Sequence, residues 1–321
     1  MGHHMKTQRY YVILNARSGT AESAGVTPIG LEQSFSAIGA EATIDVDFDA
    51  PLVQRIDNAI ASGAPCIVAA GGDGTVTAVA EKVARTDRVM AILPLGTLNA
   101  LARDLEIPFQ IDAWFAALGD MQPHRIDVGW VNGRVFLHKV FIGVVPSIAA
   151  ARERMRGRKG IGAFVGFTRY LFRRLWRARR MVVEIAPQEG EPHLERVHAL
   201  AVSNNAYAEG AMRVFSRQSL DGGSLMVYAI RHLRIMDFLR LGTGMLLGHW
   251  QQDRELRIES VRAVTIKARN KRLHVMLDGE IESLQTPLEF SITPRALAIL
   301  APPSQMVHDQ DPDSDQLETV A

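Results

Sequence analysis

Two short stretches constrain the fold of this chain more than any others. In each, an apolar run breaks into a glycine turn and then into a segment with helical spacing. Cys66-Ile67-Val68-Ala69-Ala70 runs into Gly71-Gly72-Asp73-Gly74-Thr75, and residues 75–85 then carry Val76, Val79, Ala80 and Val83 on one side. Residues 89–93 run into Pro94-Leu95-Gly96-Thr97, followed by helix-like 98–105. A third β-prone run, 10–14, ends in Asn15-Ala16-Arg17-Ser18-Gly19. Repetition of strand, turn and helix predicts a parallel sheet with right-handed crossovers. Ligands of such sheets bind beyond the carboxyl ends of the strands, so the three loops should converge on one site.

The pattern changes near residue 126. Ile126-Asp127-Val128-Gly129-Trp130-Val131-Asn132-Gly133-Arg134-Val135-Phe136 has the form of a hairpin, because Asn-Gly suits a type I′ turn. Further strands are expected at 181–186, 198–203, 225–230, 262–268, 272–277 and 287–292, separated mostly by turns rather than regular helices, with a core-facing helix expected within 233–250. The expected fold is therefore an α/β, Rossmann-like N-terminal domain over 1–125 and an antiparallel β-sandwich over 126–301, whose end can return to the first domain. Residues 302–321 are acidic and lack apolar periodicity, which predicts a disordered tail. Met1-Gly2-His3-His4-Met5 reads as a cloning leftover.

Bulk composition narrows the function classes. With 321 residues, 47% hydrophobic and 22% charged, the chain can build two cores. A net charge of +1 gives no overall attraction to nucleic acid, and a single cysteine, Cys66, allows no internal disulfide. No apolar run reaches the length of a membrane span. A cytoplasmic protein is expected, peripheral at the inner membrane face if the basic segment described below docks there.

The GGDGT loop is the strongest candidate for chemistry. Backbone N–H groups in a glycine turn, backed by a helix N-terminus, form an anion site that phosphate oxygens can approach. Asp73 cannot attract a phosphate itself; it makes sense with a Mg²⁺ ion between the two. For Gly-Asp-Gly alone the alternative is a tight turn with Asp73 as helix cap; the full stretch between a buried strand and a helix favours phosphate. Gly96 and Thr97 stand at a second helix start, and Asn99 is within reach of a nucleotide. Val275-Met276-Leu277-Asp278-Gly279-Glu280 ends a strand in two acids, one of which can accept a proton. Alone, that segment reads rather as an Asp-Gly hairpin with exposed acids.

Together, Asn15 to Thr20, Ala69 to Thr75, Leu93 to Leu105, the hairpin and Leu277 to Glu280 resemble the diacylglycerol-kinase catalytic family, in that order along nearly the whole chain. The resemblance implies an ATP-dependent lipid kinase acting on diacylglycerol or a related lipid alcohol, as in phospholipid metabolism. ATP and Mg²⁺ would bind between the two domains. Asn15, Ala16, Ser18, Gly19, Gly71, Gly72, Asp73, Gly74, Thr75, Gly96, Thr97 and Asn99 would line the nucleotide site, with Asp73 near the metal. Asp278 would match the general base and Glu280 its acidic companion. The family's acidic loop for a structural Mg²⁺ reads Leu220-Asp221-Gly222-Gly223 here, keeping one acid, Asp221. Ala16, Ala78 and Ala100 replace the usual Pro, Glu and Asp. Two alternatives stay open: a NAD or sugar-phosphate kinase with the same glycine loop, and a non-catalytic, nucleotide-sensing membrane module.

Residues 152–180 hold eleven Arg or Lys against one acid, Glu153. Phe164, Phe167, Leu171 and Leu175 recur at helical spacing. Such a helix suits an anionic membrane surface, or packs on the sandwich with an arginine-coated outer face. An exposed sandwich edge would allow a homodimer.

Overall fold

The computed structural model describes residues 9–15, 26–154, 161–208, 217–232 and 235–303. Ala16, Ser18 and Gly19, the acidic tail from residue 304, and Arg156, Arg158 and Lys159 of the basic segment lie outside the described residues.

The first part alternates as the spacing requires: β1 (Arg9–Leu14), α1 (Pro28–Ala37), β2 (Glu41–Asp45), α2 (Leu52–Ala61), β3 (Cys66–Gly71), α3 (Asp73–Val83), β4 (Val89–Pro94), α4 (Ala100–Asp104) and α5 (Ile111–Leu118). Strands β2, β1, β3 and β4 lie side by side and parallel. β3 is buried along its whole length, as an apolar run without alternation demands. Cys66 is buried in it, and burial pushes its thiol up to about 12, which makes it an inert core side chain. Helix α1 begins at Thr27, whose hydroxyl accepts the Gly30 N–H, with Pro28 at the first turn. Arg55 of α2 is buried: it pairs with Asp45 at 3.0 Å and also donates to the Leu14 and Asp45 carbonyls. A charge on the inner face of α2 and another at the end of β2 interrupt the apolar pattern that would have announced both elements.

The second part opens with the hairpin β5 (Gln122–Val131) and β6 (Arg134–Phe136). Asn132 and Gly133 between them have φ of +48° and +78°, as a type I′ turn requires. It continues through β7 (Lys139–Gly143), α6 (Val144–Arg154), α7 (Ile161–Arg177), β8 (Met181–Pro187), β9 (His193–Val197), β10 (Ala199–Asn204), β11 (Leu225–Ile230), α8 (Ile235–Leu247), β12 (Leu256–Val261), β13 (Ala263–Ala268), β14 (Arg272–Leu277), β15 (Glu280–Gln285) and β16 (Leu288–Ala301). The connections are thus not all turns: two helices follow β7 and one follows β11.

Six strands form an antiparallel sheet in the order β12-β11-β10-β7-β14-β15. The other sheet runs β2-β1-β3-β4-β16-β13-β8-β9, with β5 and β6 attached through β16. β16 is the bridge. Its first half pairs antiparallel with β13, while Ala298 and Ile299 pair in parallel with Val89 and Met90. One core fills the α/β part, and a second, with Val140, Ile142 and Leu277 from one sheet and Val264 and Phe290 from the other, fills the sandwich. The β14–β15 hairpin belongs to the other sheet, where β14 pairs with β7.

Candidate active site

The turn after β3 and the turn after β4 pack backbone on backbone. A Cβ on Gly96 would come within 2.5 Å of the Gly72 Cα, and one on Gly71 within 2.6 Å of the Thr75 hydroxyl. Gly72 and Gly96 are therefore required for the two loops to touch, and Gly71 for the close approach of Thr75 from the following helix, independently of any ligand. Gly72 is the N-cap of α3, with Asp73 in its first turn. The Asp73 carboxylate reaches across to the second loop, where it accepts the Asn99 N–H at 3.0 Å and the Ala100 N–H at 2.6 Å. It thereby caps the start of α4, not that of its own helix.

Asn99 closes its own turn. It has φ +47°, its amide nitrogen donates to the Gly96 carbonyl, and its amide oxygen accepts the Gly96 N–H. Both ends of the side chain expected to touch nucleotide are so taken by the loop. Asn15 donates to the Thr75 hydroxyl at 2.9 Å, tying the end of β1 to α3. Thr75 is buried, whereas Gly74 and Thr97 are exposed at the rim.

The acidic hairpin comes down on this loop pair. Asp278 and Gly279 form its turn, with φ of +46° and +102°. The Asp278 carboxylate accepts three backbone N–H groups, from Leu137 at 2.6 Å, His138 at 2.9 Å and Lys139 at 2.8 Å. Thr77 of α3 lies 3.5 Å from the same carboxylate. Burial pushes the Asp278 carboxyl up, against the pull of those three N–H bonds and of nearby Arg217. Glu280, two residues on, is exposed, and its side chain makes no hydrogen bond or ion pair among the described residues. A Cβ on Gly74 would overlap its carboxylate. The carboxylate therefore hangs directly over the glycine loop.

Several functional candidates carried no sequence signal. Lys139, beside Asp278, contacts the rings of Phe141 and Tyr207, and burial brings its ammonium down to about 8. Asp127 is buried; it accepts N–H bonds from Arg295, Gly223 and the Asn205 side chain, locking the bulge of β16 to the 219–224 loop. The hairpin made Asp127 visible as a strand residue, but nothing local marked it as this junction.

Among the described residues no three His, Cys, Asp or Glu side chains gather as a metal cage. Asp221 accepts from the Ser219 hydroxyl at 2.7 Å and faces the Arg295 guanidinium at 3.4 Å. Asp221 thus closes the 219–224 loop through Ser219, with its second carboxylate oxygen turned to the exposed Arg295 side chain. The glycine loop is different. There Asp73 and Glu280 are the carboxylates that would hold a Mg²⁺ brought with a nucleotide, and hard oxygen donors suit that ion.

Comparison with known proteins agrees with this architecture. The model of the diacylglycerol kinase catalytic domain matches residues 9–131, and that of the YegS C-terminal NAD kinase beta sandwich-like domain matches 140–301. A Pseudomonas aeruginosa protein named probable lipid kinase YegS-like is 33% identical over 82% of this chain and 86% of its own. A Pseudomonas fluorescens protein of the same name is 28% identical over 83% and 87%. Among solved structures, a diacylglycerol kinase from Bacillus anthracis aligns over 93% of this chain and 98% of its own, at 17% identity and a TM-score of 0.66. A NAD kinase from Archaeoglobus fulgidus in complex with ATP aligns over 93% and 94%, at 13% identity and a TM-score of 0.50. At those identities the structures speak for the fold alone. With both domain models matched in order and the glycine loops meeting an acidic hairpin across the two parts, the chain belongs to the diacylglycerol-kinase family, in the company of its YegS-like relatives, and is a kinase.

Proposed function

We propose that this kinase transfers the γ-phosphoryl group of ATP to the hydroxyl of diacylglycerol or a related lipid alcohol. The observation that carries the reading is the meeting of Glu280 with Gly74. One part of the chain brings an anion-binding turn, and the other brings an uncommitted carboxylate to the same point. Amides at the start of α3 suit the phosphates, helped by the helix dipole. Mg²⁺, when bound with the nucleotide, would offset phosphate charge. Glu280 is then the group best placed to take the proton of the attacking hydroxyl. Asp278 orients the hairpin through its three N–H bonds, which reverses the division of labour expected for the two acids. Asp73 holds the two loops together through its N–H bonds and would have only its remaining lone pairs to offer a Mg²⁺.

Radiolabelled ATP offered with diacylglycerol in mixed micelles, with a total lipid extract, and with NAD tests the reading. Label is expected in the organic phase with diacylglycerol. Label on NAD alone, or on none of the three, would overturn it.

The reading includes contact with an anionic membrane surface. On α7, Leu175 faces the core at 5% exposure, and Tyr170 and Arg174 rest on Ser147 of α6. Phe172 and Trp176, one turn apart, are exposed at 44% and 81%. Arg169, Arg173 and Arg177 form the adjacent row, also exposed. Neighbouring α8 exposes Met236, Leu246 and Leu247. An apolar edge beside an arginine row is the arrangement that inserts at a headgroup boundary. No helix among the described residues is long and apolar enough to cross a membrane. Co-sedimentation with vesicles containing anionic phosphatidylglycerol is expected, and Phe172→Ala/Trp176→Ala should weaken it by about tenfold or more, since each aromatic contributes roughly 1.5–3 kcal/mol when buried. Equal sedimentation with neutral and anionic vesicles would remove this part of the proposal.

A further inference from the structure

We infer that Asp104 and Arg217 are a positioning pair that couples the phosphate-side loops to the acidic hairpin, an inference that rests on the site reading above. Asp104 is the last residue of α4, where a carboxylate opposes the helix dipole, and its side chain is only 4% exposed. Both circumstances are unfavourable for an anion unless a specific partner offsets them. That partner is Arg217, from the sandwich part, whose side chain is 1% exposed. Its Nε donates to Asp104 at 2.8 Å and its Nη1 to the Leu137 carbonyl at 2.5 Å. His138 Nε2 lies 3.3 Å from the same Asp104 oxygen. Burial holds the His138 imidazole well below its ordinary range, so Arg217 is the cation of the group.

What makes the pair more than a domain clasp is the path it completes. Asp73 caps α4 at one end through Asn99 and Ala100. α4 is a single short helix, and Asp104 closes its other end. Arg217 passes from Asp104 to Leu137, whose own N–H holds Asp278. Asp278 sets the turn that carries Glu280. Every link from the glycine loop to that hairpin is a hydrogen bond or one short helix, and the Asp104–Arg217 bond is where the path crosses between the two parts of the chain. A displacement of the hairpin by a fraction of an ångström would move Glu280 relative to the phosphates without removing either from the site.

The test uses near-isosteric changes in the full chain: Asp104→Asn, Arg217→Gln, Arg217→Lys and the double change Asp104→Asn/Arg217→Gln, each checked for wild-type circular dichroism at the assay temperature. With ATP and diacylglycerol micelles, each uncharged single variant is expected to lose about tenfold or more in kcat while the ATP KM moves by less than about threefold. Arg217→Lys should regain part of the loss, and the double variant should lose no more than the worse single one, as members of one path do. Hydrogen exchange supplies a readout that needs no lipid turnover. A non-hydrolysable ATP analogue should slow exchange at 137–139 in the wild type; Arg217→Gln should lose that response and keep the one at 71–75. If the wild type phosphorylates no lipid, the functional reading fails, and the exchange experiment still decides the pair. Unchanged kcat in a folded variant, single losses that multiply, or a 137–139 response that survives Arg217→Gln would overturn it; should Arg217→Gln not fold, Arg217→Lys and Asp104→Asn decide by the same criteria.

Discussion

Glu280→Gln is expected to lower kcat by about 10²–10⁴-fold, the usual contribution of a positioned general base, while leaving the fold and the affinity for ATP nearly unchanged. Glutamine keeps the shape of the side chain and removes only its ability to accept a proton. The position is exposed and its side chain engages no partner among the described residues, so stability should stay within roughly 0.5 kcal/mol of the wild type. Nucleotide affinity should hold or rise slightly, because a negative charge beside Gly74 is removed from the neighbourhood of the glycine loop. Steady-state kinetics in diacylglycerol and ATP, with thermal melts of the same preparations, would check it. Near-normal kcat would remove Glu280 from the chemistry and return the proton to another acceptor.

The stretch 66–75 was legible because it carries three independent signals: an unbroken apolar strand, glycines, and helical spacing. What the glycines are for was not legible. Read along the chain they admit a phosphate, but Gly72 is also required by Gly96, and that neighbour is twenty-four residues away and visible only once β3 and β4 are paired. The two acids of the hairpin are ranked only by the family resemblance, which makes Asp278 the base; their own segment does not rank them, for a similar reason. Asp278 is fixed by amides of 137–139, contributed by a segment about 140 residues earlier that looks like an ordinary strand start. Helix α2 and strand β2 carry an interrupted apolar pattern in the sequence, because Arg55 and Asp45 place a buried ion pair where periodicity expects apolar residues. The sequence pattern marks the long β16 as a strand over 287–292 only. Its bulge between Thr293 and Leu297 interrupts the pattern, and the strand resumes on another neighbour. Local chemistry is written in the sequence; the partner that a buried polar group requires is not.

Asp278 offers the complementary experiment, because the two roles open to it predict opposite signatures. As the proton acceptor it would tolerate Asp278→Asn with an unchanged melting temperature and lose turnover. As the holder of the turn it should lose stability first. Three backbone N–H groups converge on its two oxygens, and asparagine must present an NH₂ donor to at least one of them. Hydrogen bonds to a charged group contribute about 1.5–3 kcal/mol each, so losing one and opposing it with a second donor should cost roughly 2–4 kcal/mol, with Asp278→Ala costing more. Asparagine accepts the left-handed φ of +46° as readily as aspartate does, so the backbone itself adds little to that difference. The pH dependence carries a sign as well. Burial raises the Asp278 carboxyl in the folded chain, so on this group alone the folded state holds its proton to higher pH than the unfolded one. Its contribution to stability is therefore greatest below the unfolded carboxylate range and declines as pH rises through the folded value. Asp278→Asn removes that dependence. Chemical denaturation of wild type and Asp278→Asn across the acidic range would show the two stability curves diverging. A melting temperature equal to wild type in Asp278→Asn, together with lost turnover, would restore Asp278 as the base and leave Glu280 as its companion.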